Sequence, residues 1–186
     1  MTKAIIIGMK HNPISQRYLE TIIPNARKML SCEIEVMEAI RPGDPIIDHD
    51  KFSAIKGPTK GTKDKPWSET EKAVWYSHIC AWKKILDQED DAVWVLEHDA
   101  FVSIPPKFHY GINSIWGNAV GQARAYVMRP FIIERMLKDF ENAKVIDMQI
   151  DTWMTKWMAD RAHTTASAET FLVNHMQDHG TTIEHL

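Results

Sequence analysis

Two carboxylates and an imidazole stand together in Glu97-His98-Asp99, directly after the apolar run Ala92-Val93-Trp94-Val95-Leu96. Acidic side chains grouped in this way can hold a hard divalent cation such as Mg2+ or Mn2+ through oxygen ligands. The plain alternative is a buried strand surfacing into water, where charged residues cost little. The functional reading follows from open α/β sheets, which bind ligands just beyond the carboxyl ends of their strands, and the rest of the chain must decide between the two. Downstream, Asp147 and Asp151 add carboxylates beside a helical pattern, and the tail carries His175 and His179. A further anomaly is the stretch 51–72, with six lysines against Asp64, Glu69 and Glu71, a local net charge of +3, and Trp67 beside them.

A strand-end site needs a sheet to hold it. Val93 to Leu96 is rich in β-branched and aromatic residues and reads as a strand buried on both faces. Ala4-Ile5-Ile6-Ile7-Gly8 reads the same way. Asn12-Pro13 then looks like an N-cap followed by proline at the first helical position. That helix turns Ile14, Tyr18, Leu19 and Ile22 inward, with a break or kink expected at Pro24. Glu33 to Met37 alternates polar and apolar, the period of a half-buried strand, so the chain opens β-α-β.

Ser68-Glu69-Thr70-Glu71 is a capping box. The helix behind it carries Val74, Trp75, His78, Ile79, Trp82, Ile85 and Leu86 on a core stripe and ends near Gln88. Ala125 to Met128 reads as another strand. Pro130 starts a helix with Ile133, Met136, Leu137 and Phe140 on one face, and Asp151 is placed as the cap of a short helix bearing Trp153, Met154 and Trp157. Between these elements lies a Lys/Pro/Gly-rich loop at about 40–67, an acceptor-facing or lid-like segment rather than an interdomain linker.

At 186 residues the chain suits one domain, here read as spanning 1–186. Its 44% hydrophobic and 25% charged residues are ordinary for a globular protein, and a net charge of −3 gives no general polyanion-binding signal. Cys32 and Cys80 are too few for a disulfide framework and read as core thiols in a reducing compartment. The N-terminus runs straight into a strand, and no apolar run approaches a membrane span. The expectation is a soluble cytoplasmic protein, in a host cytoplasm if the chain is phage-encoded.

The order of motifs resembles glycosyltransferase family 25, the lipooligosaccharide-type sugar transferases. The family has a glutamate opening a helix (Glu71 here), a Ser-His pair within it (Ser77-His78), and a strand ending in Leu-Glu-Asp-Asp (Leu96-Glu97-His98-Asp99). Ser15-Gln16-Arg17 falls where the family has an arginine early in its first helix. Ala123-Arg124-Ala125-Tyr126 looks like its small-residue-plus-Tyr strand, and Ile150-Asp151 like its later Ile-Asp. The order holds from the first strand to about residue 157. Two features depart from it: His98 stands at the second acidic position, and the chain is shorter than typical members.

The resemblance implies a GT-A-like (Rossmann-like) α/β sandwich with a mostly parallel central sheet and a nucleotide-sugar donor, a UDP-sugar first. It also implies an Mn2+ or Mg2+ cofactor and inverting transfer to an acceptor hydroxyl of a glycan or lipooligosaccharide. On that basis Gly8, Arg17, Glu71, Ser77, His78 and Glu97 are donor-site residues. Asp99 is a metal ligand joined by His179, with His175 as the other candidate from the tail. Asp151 is the catalytic base, with Asp147 in reserve, and Glu97 the second catalytic carboxylate. Strand alternation turns His98 away from its neighbours, as a packed imidazole rather than a ligand. Each has a plainer counterpart: Asp151 as a helix cap, His78 as a core histidine, His179 in a solvated tail.

The lysines of the long loop leave the acceptor open. Lys60, Lys63 and Lys65 with Trp67 form either a solvated loop or a phosphate-tracking one, the latter pointing to 5-hydroxymethylcytosine in phage DNA as an alternative acceptor. Two other classes stand beside the transferase: a non-catalytic glycan- or nucleotide-binding domain and a metal-dependent hydrolase.

Overall fold

Strands β1 (Lys3–Gly8), β2 (Glu33–Glu38) and β3 (Val93–Glu97) form the parallel half of a five-stranded sheet, with β1 between the other two. The computed structural model describes residues 3–57, 63–88, 92–102, 116–117, 123–160 and 173–175. Beyond β3 the direction changes. β6 (Ala125–Met128) pairs antiparallel with β3 on one side and with the short β5 (Trp116–Gly117) on the other, giving the order β2-β1-β3-β6-β5. The expected mostly parallel sheet is therefore corrected to a mixed one, with two of four pairings antiparallel. A buried apolar run reports that a strand is covered on both faces, and it reads alike in either direction; all four residues of β6 are buried. Separately, β4 (Ala100–Val102) pairs antiparallel with β7 (Val173–His175), setting Ala100 opposite His175.

Helices cover both faces. α1 (Pro13–Leu30) lays Leu19, Ile22 and Ala26 over Ala4, Ile6, Trp94 and Leu96. α2 (Glu69–Leu86), α3 (Pro130–Asn142) and α4 (Ile150–Asp160) cover the opposite face, where Trp75, Ile79, Trp82 and Ile85 meet Ile5, Val93 and Val95. The α3 face is as expected, with Ile133, Met136, Leu137 and Phe140 all buried. Leu86, the last residue of α2, is not on the core stripe and is 38% exposed.

Asn12 caps α1, its side chain accepting from the amides of Ile14 and Ser15 at 2.9 and 3.1 Å. The helix does not stop at Pro24 but runs on to Leu30. Pro24 removes the hydrogen bond to the Glu20 carbonyl, yet both residues lie on the exposed face, where water can satisfy the freed carbonyl. Gly8, at the end of β1, lets α1 approach closely: a Cβ there would lie 3.1 Å from the Leu19 side chain.

The long loop is pinned rather than loose over its described residues. Ile47 and Ile55 are buried, and Ile55 exchanges backbone hydrogen bonds with Lys65 at 2.8 and 3.0 Å. Lys51 donates from Nζ to the carbonyls of Phe140, Glu141 and Ala143 at 3.2, 3.0 and 3.0 Å, closing the C-terminus of α3. Both cysteines are free thiols; burial pushes Cys32 up to about 11 and raises Cys80 as well, which suits core packing. Among the described residues no helix is long and apolar enough to cross a membrane.

Candidate functional site

At the end of β3 the pleat divides the acidic triplet. Val93 and Val95 face α2, whereas Trp94 and Leu96 face α1. Glu97 continues the first series. His98 falls to the other side, and its ring stacks on Tyr18 of α1 at 5.7 Å between centroids. The packed imidazole expected from alternation is the one found.

Glu97 opens into a cleft of about 270 Å³. Four segments wall it: Trp67, the first turns of α2 with Glu71 and Trp75, Arg124 just before β6, and the start of α4 with Gln149 and Asp151. The antiparallel course of β6 delivers Arg124 here, since its carbonyl accepts from the Glu97 amide at 2.7 Å. Burial alone would raise the Glu97 carboxyl. The His78 hydrogen bond, with the Arg124 guanidinium nearby, outweighs it and holds the group below its ordinary value. Its side chain is 28% exposed, so an ionised carboxylate faces the cleft.

Glu71 completes the capping box with Ser68, as the sequence indicates, and does more. Lys65 Nζ donates to it at 2.7 Å and Gln149 Nε2 at 2.9 Å, so one carboxylate ties the long loop and α4 to the start of α2. Burial raises its pKa, and these donors together with Ser68 bring it below the ordinary value.

Asp151 is not the cap of α4. The helix starts at Ile150 and Gln149 precedes it, its carbonyl accepting from Trp153 at 2.8 Å. Asp151 therefore sits in the first turn with one oxygen bound to the Thr152 amide at 2.6 Å, and lines the cleft. The cap reading fails because Gln149, no habitual capping residue, takes that position. The carbonyl of Asp147 accepts from the Lys56 amide, and its side chain is not among the described cleft walls.

The structure thus unites Trp67, Glu71, Glu97 and Asp151, with His78 directly behind Glu97. Among the described residues, it does not bring the others expected to this cleft. Ser77 is buried and spent on backbone, donating to the Ala73 carbonyl at 2.8 Å and accepting from the Ile40 amide at 2.9 Å. Arg17 is exposed on α1, across the sheet, and Gly8 serves helix packing. Lys63 is exposed, and Lys65 is paired with Glu71. Lys60 and His179 lie outside the described residues.

Asp99 follows in the turn between β3 and β4 and is 6% exposed. Among the described residues no three His, Cys, Asp or Glu side chains gather as a ready cation cage. A Mg2+ or Mn2+ ion does not require such a cage. Such ions take one or two carboxylates and fill the remaining positions with phosphate oxygens and water. Glu97 is ionised and open to the cleft, and the β4–β7 register brings the His175 backbone opposite the residue after Asp99.

Sequence reasoning missed Arg124 as a site residue. It had a signal, a cation immediately before a fully apolar strand, but the strand's direction was needed to see which sheet end it reaches. Residues 1–117 match the sequence profile of glycosyltransferase family 25 (LPS biosynthesis protein), so the match includes Trp67, Glu71 and Glu97 and ends before Arg124 and Asp151. No curated protein matches the chain.

Proposed function

The chain belongs to glycosyltransferase family 25, and from that premise we propose a metal-dependent transfer of a sugar from a nucleotide-sugar donor to a glycan or lipooligosaccharide hydroxyl. A UDP-sugar is the first donor to consider, and the fold is taken as GT-A-like. The observation that carries this reading is the convergence of Glu97, Arg124 and Asp151, from three separate segments, on one cleft bordered by Trp67 and Trp75. Its volume of about 270 Å³ suits a monosaccharide more than a whole nucleotide sugar, so the sugar occupies the cleft and the nucleotide extends out of it.

In this arrangement Asp151 takes the proton of the acceptor hydroxyl while that oxygen attacks the anomeric carbon. The bond from that carbon to the diphosphate oxygen breaks, and its electron pair leaves with the nucleoside diphosphate. A single displacement of this kind inverts the anomeric centre. Arg124 offsets charge developing on the leaving phosphate. Glu97, held ionised, accepts hydrogen bonds from donor hydroxyls. The residues that would hold Mn2+ or Mg2+ are Asp99 with a tail histidine, His175 or His179; when bound, the ion would neutralise leaving-group charge.

The alternative acceptor, hydroxymethylated DNA, requires loop lysines free to meet phosphates. Lys51 is committed to the end of α3, Lys56 to Asp64, Lys65 to Glu71 and Lys72 to Glu69. These pairings commit four of the six lysines between residues 51 and 72.

The test is incubation with a panel of nucleotide sugars and Mn2+, with donor binding and turnover read by mass spectrometry. One donor should bind, turn over faster with acceptor present, and lose activity in EDTA. Hydrolysis at equal rate without acceptor would establish the hydrolase instead, and binding without turnover the non-catalytic domain. Transfer to hydroxymethylcytosine-containing duplex at low salt, and not to glycans, would exchange the acceptor.

A further inference from the structure

We propose that Trp82, Tyr126 and His78 form a buried relay fixing His78 as its Nε2–H tautomer, which orients the Glu97 carboxylate for transfer. The orienting role rests on the glycosyltransferase reading; the tautomer does not.

The direction of each bond follows from what each group can do. An indole N–H only donates, and Trp82 Nε1 lies 2.9 Å from Tyr126 Oη. The phenol oxygen is therefore an acceptor toward Trp82, and its own hydrogen needs another destination. His78 Nδ1 lies 2.7 Å from the same oxygen. Burial raises the Tyr126 phenol well above its ordinary pKa, so it keeps the hydrogen it donates. Nδ1 then accepts, and the proton of a neutral ring sits on Nε2, 3.4 Å from Glu97 Oε1. Trp82 and Tyr126 are 0% exposed and His78 is 1%, so bulk water cannot replace a missing partner.

The elements make this arrangement. His78 and Trp82 are four residues apart on α2 and share its inner face. Tyr126 stands opposite Val95 on β6, and Glu97 ends β3. A long bond to a carboxylate that still faces the cleft leaves it room to shorten when a donor arrives. Trp82, Tyr126 and His78 are positioning residues, acting on substrate only through Glu97.

The experiment has two arms on the full-length chain. First, 15N NMR of His78 at neutral pH should show Nε2 protonated and Nδ1 bare, and Tyr126→Phe should move Nδ1 toward the shift of an unbonded ring nitrogen. An Nδ1–H tautomer, two protonated nitrogens, or an Nδ1 signal indifferent to Tyr126→Phe would overturn the relay. Second, His78→Gln sets an amide N–H near the place of Nε2, whereas the His78→Asn amide ends near Nδ1. Per folded molecule, donor kcat/KM should stay within about threefold of wild type for His78→Gln and should fall about tenfold, no further than for Glu97→Gln, for His78→Asn. Equal losses would mean packing alone and overturn the orienting role. If no donor turns over, the first arm still decides the relay, and the failure belongs to the glycosyltransferase reading.

Discussion

The two sides of β3 at its carboxyl end differ more than one residue of chain would suggest. On the α2 side, Glu97 opens into a cleft and is backed by His78 and Arg124. On the α1 side, His98 packs its ring on Tyr18. Residues adjacent in sequence at a strand end thus belong to different environments, and an acidic triplet is not automatically one site. The pleat opens one member to a cleft and packs the next.

The largest expected effect tests the cleft side. Asp151→Asn should lower kcat by roughly 10²–10⁴-fold with donor KM nearly unchanged. Asp147→Asn should have little effect, and steady-state kinetics on both variants would show whether the cleft wall matters more than mere proximity.

Next comes the direct contrast. Glu97→Gln should cost about tenfold or more in kcat/KM, equivalent to about 1.4 kcal/mol or more, whereas His98→Phe keeps an aromatic ring against Tyr18 and should stay within about threefold. Matching losses in the two variants would erase the distinction between the sides.

A smaller effect concerns Glu71, which holds the cleft wall together. Its folded pKa lies below the reference of 4.5, so its stabilising contribution is complete above that value and disappears as pH falls through the folded value. Urea midpoints of wild type and Glu71→Gln should differ most near neutral pH and converge on acidification. A gap that widens in acid would mean that burial outweighs the Lys65, Ser68 and Gln149 bonds.

The smallest effect lies away from both sides. Lys51→Met removes the ammonium from the α3 carbonyls and should cost about 0.3–1 kcal/mol, lowering Tm by about 1–4 °C with kcat untouched. Calorimetry checks the first expectation and turnover the second.

What the sequence revealed was what its local rules reach. The Ser68–Glu71 capping box depends on four consecutive residues, and it is present. The packing of His98 follows from strand period alone. The core stripe of α2 is also correct at Trp75, Ile79, Trp82 and Ile85. Three other features depend on partners distant in the chain. The orientation of β6 is a pairing property that its own four apolar residues do not encode. Pro24 is tolerated because its helix face meets water, which the amphipathic period indicates only once the buried face is known. Gln149 rather than Asp151 precedes α4, and its side chain bonds to Glu71, 78 residues earlier.

The placement of β6 also bears on which part of the chain is a physical unit. The stretch shared with the family stops at residue 117, before β6. A fragment ending there would leave one flank of β3 without its ladder, exposing the backbone of Val93 to Leu96 where β6 now pairs. A long apolar edge of that kind is a template for chain-to-chain pairing and aggregation. The same cut would remove Tyr126 and strand the polar atoms of Trp82 and His78 in the interior. The boundary of sequence likeness is therefore not a boundary of folding, and expression limited to the shared stretch would yield aggregates rather than a smaller working protein.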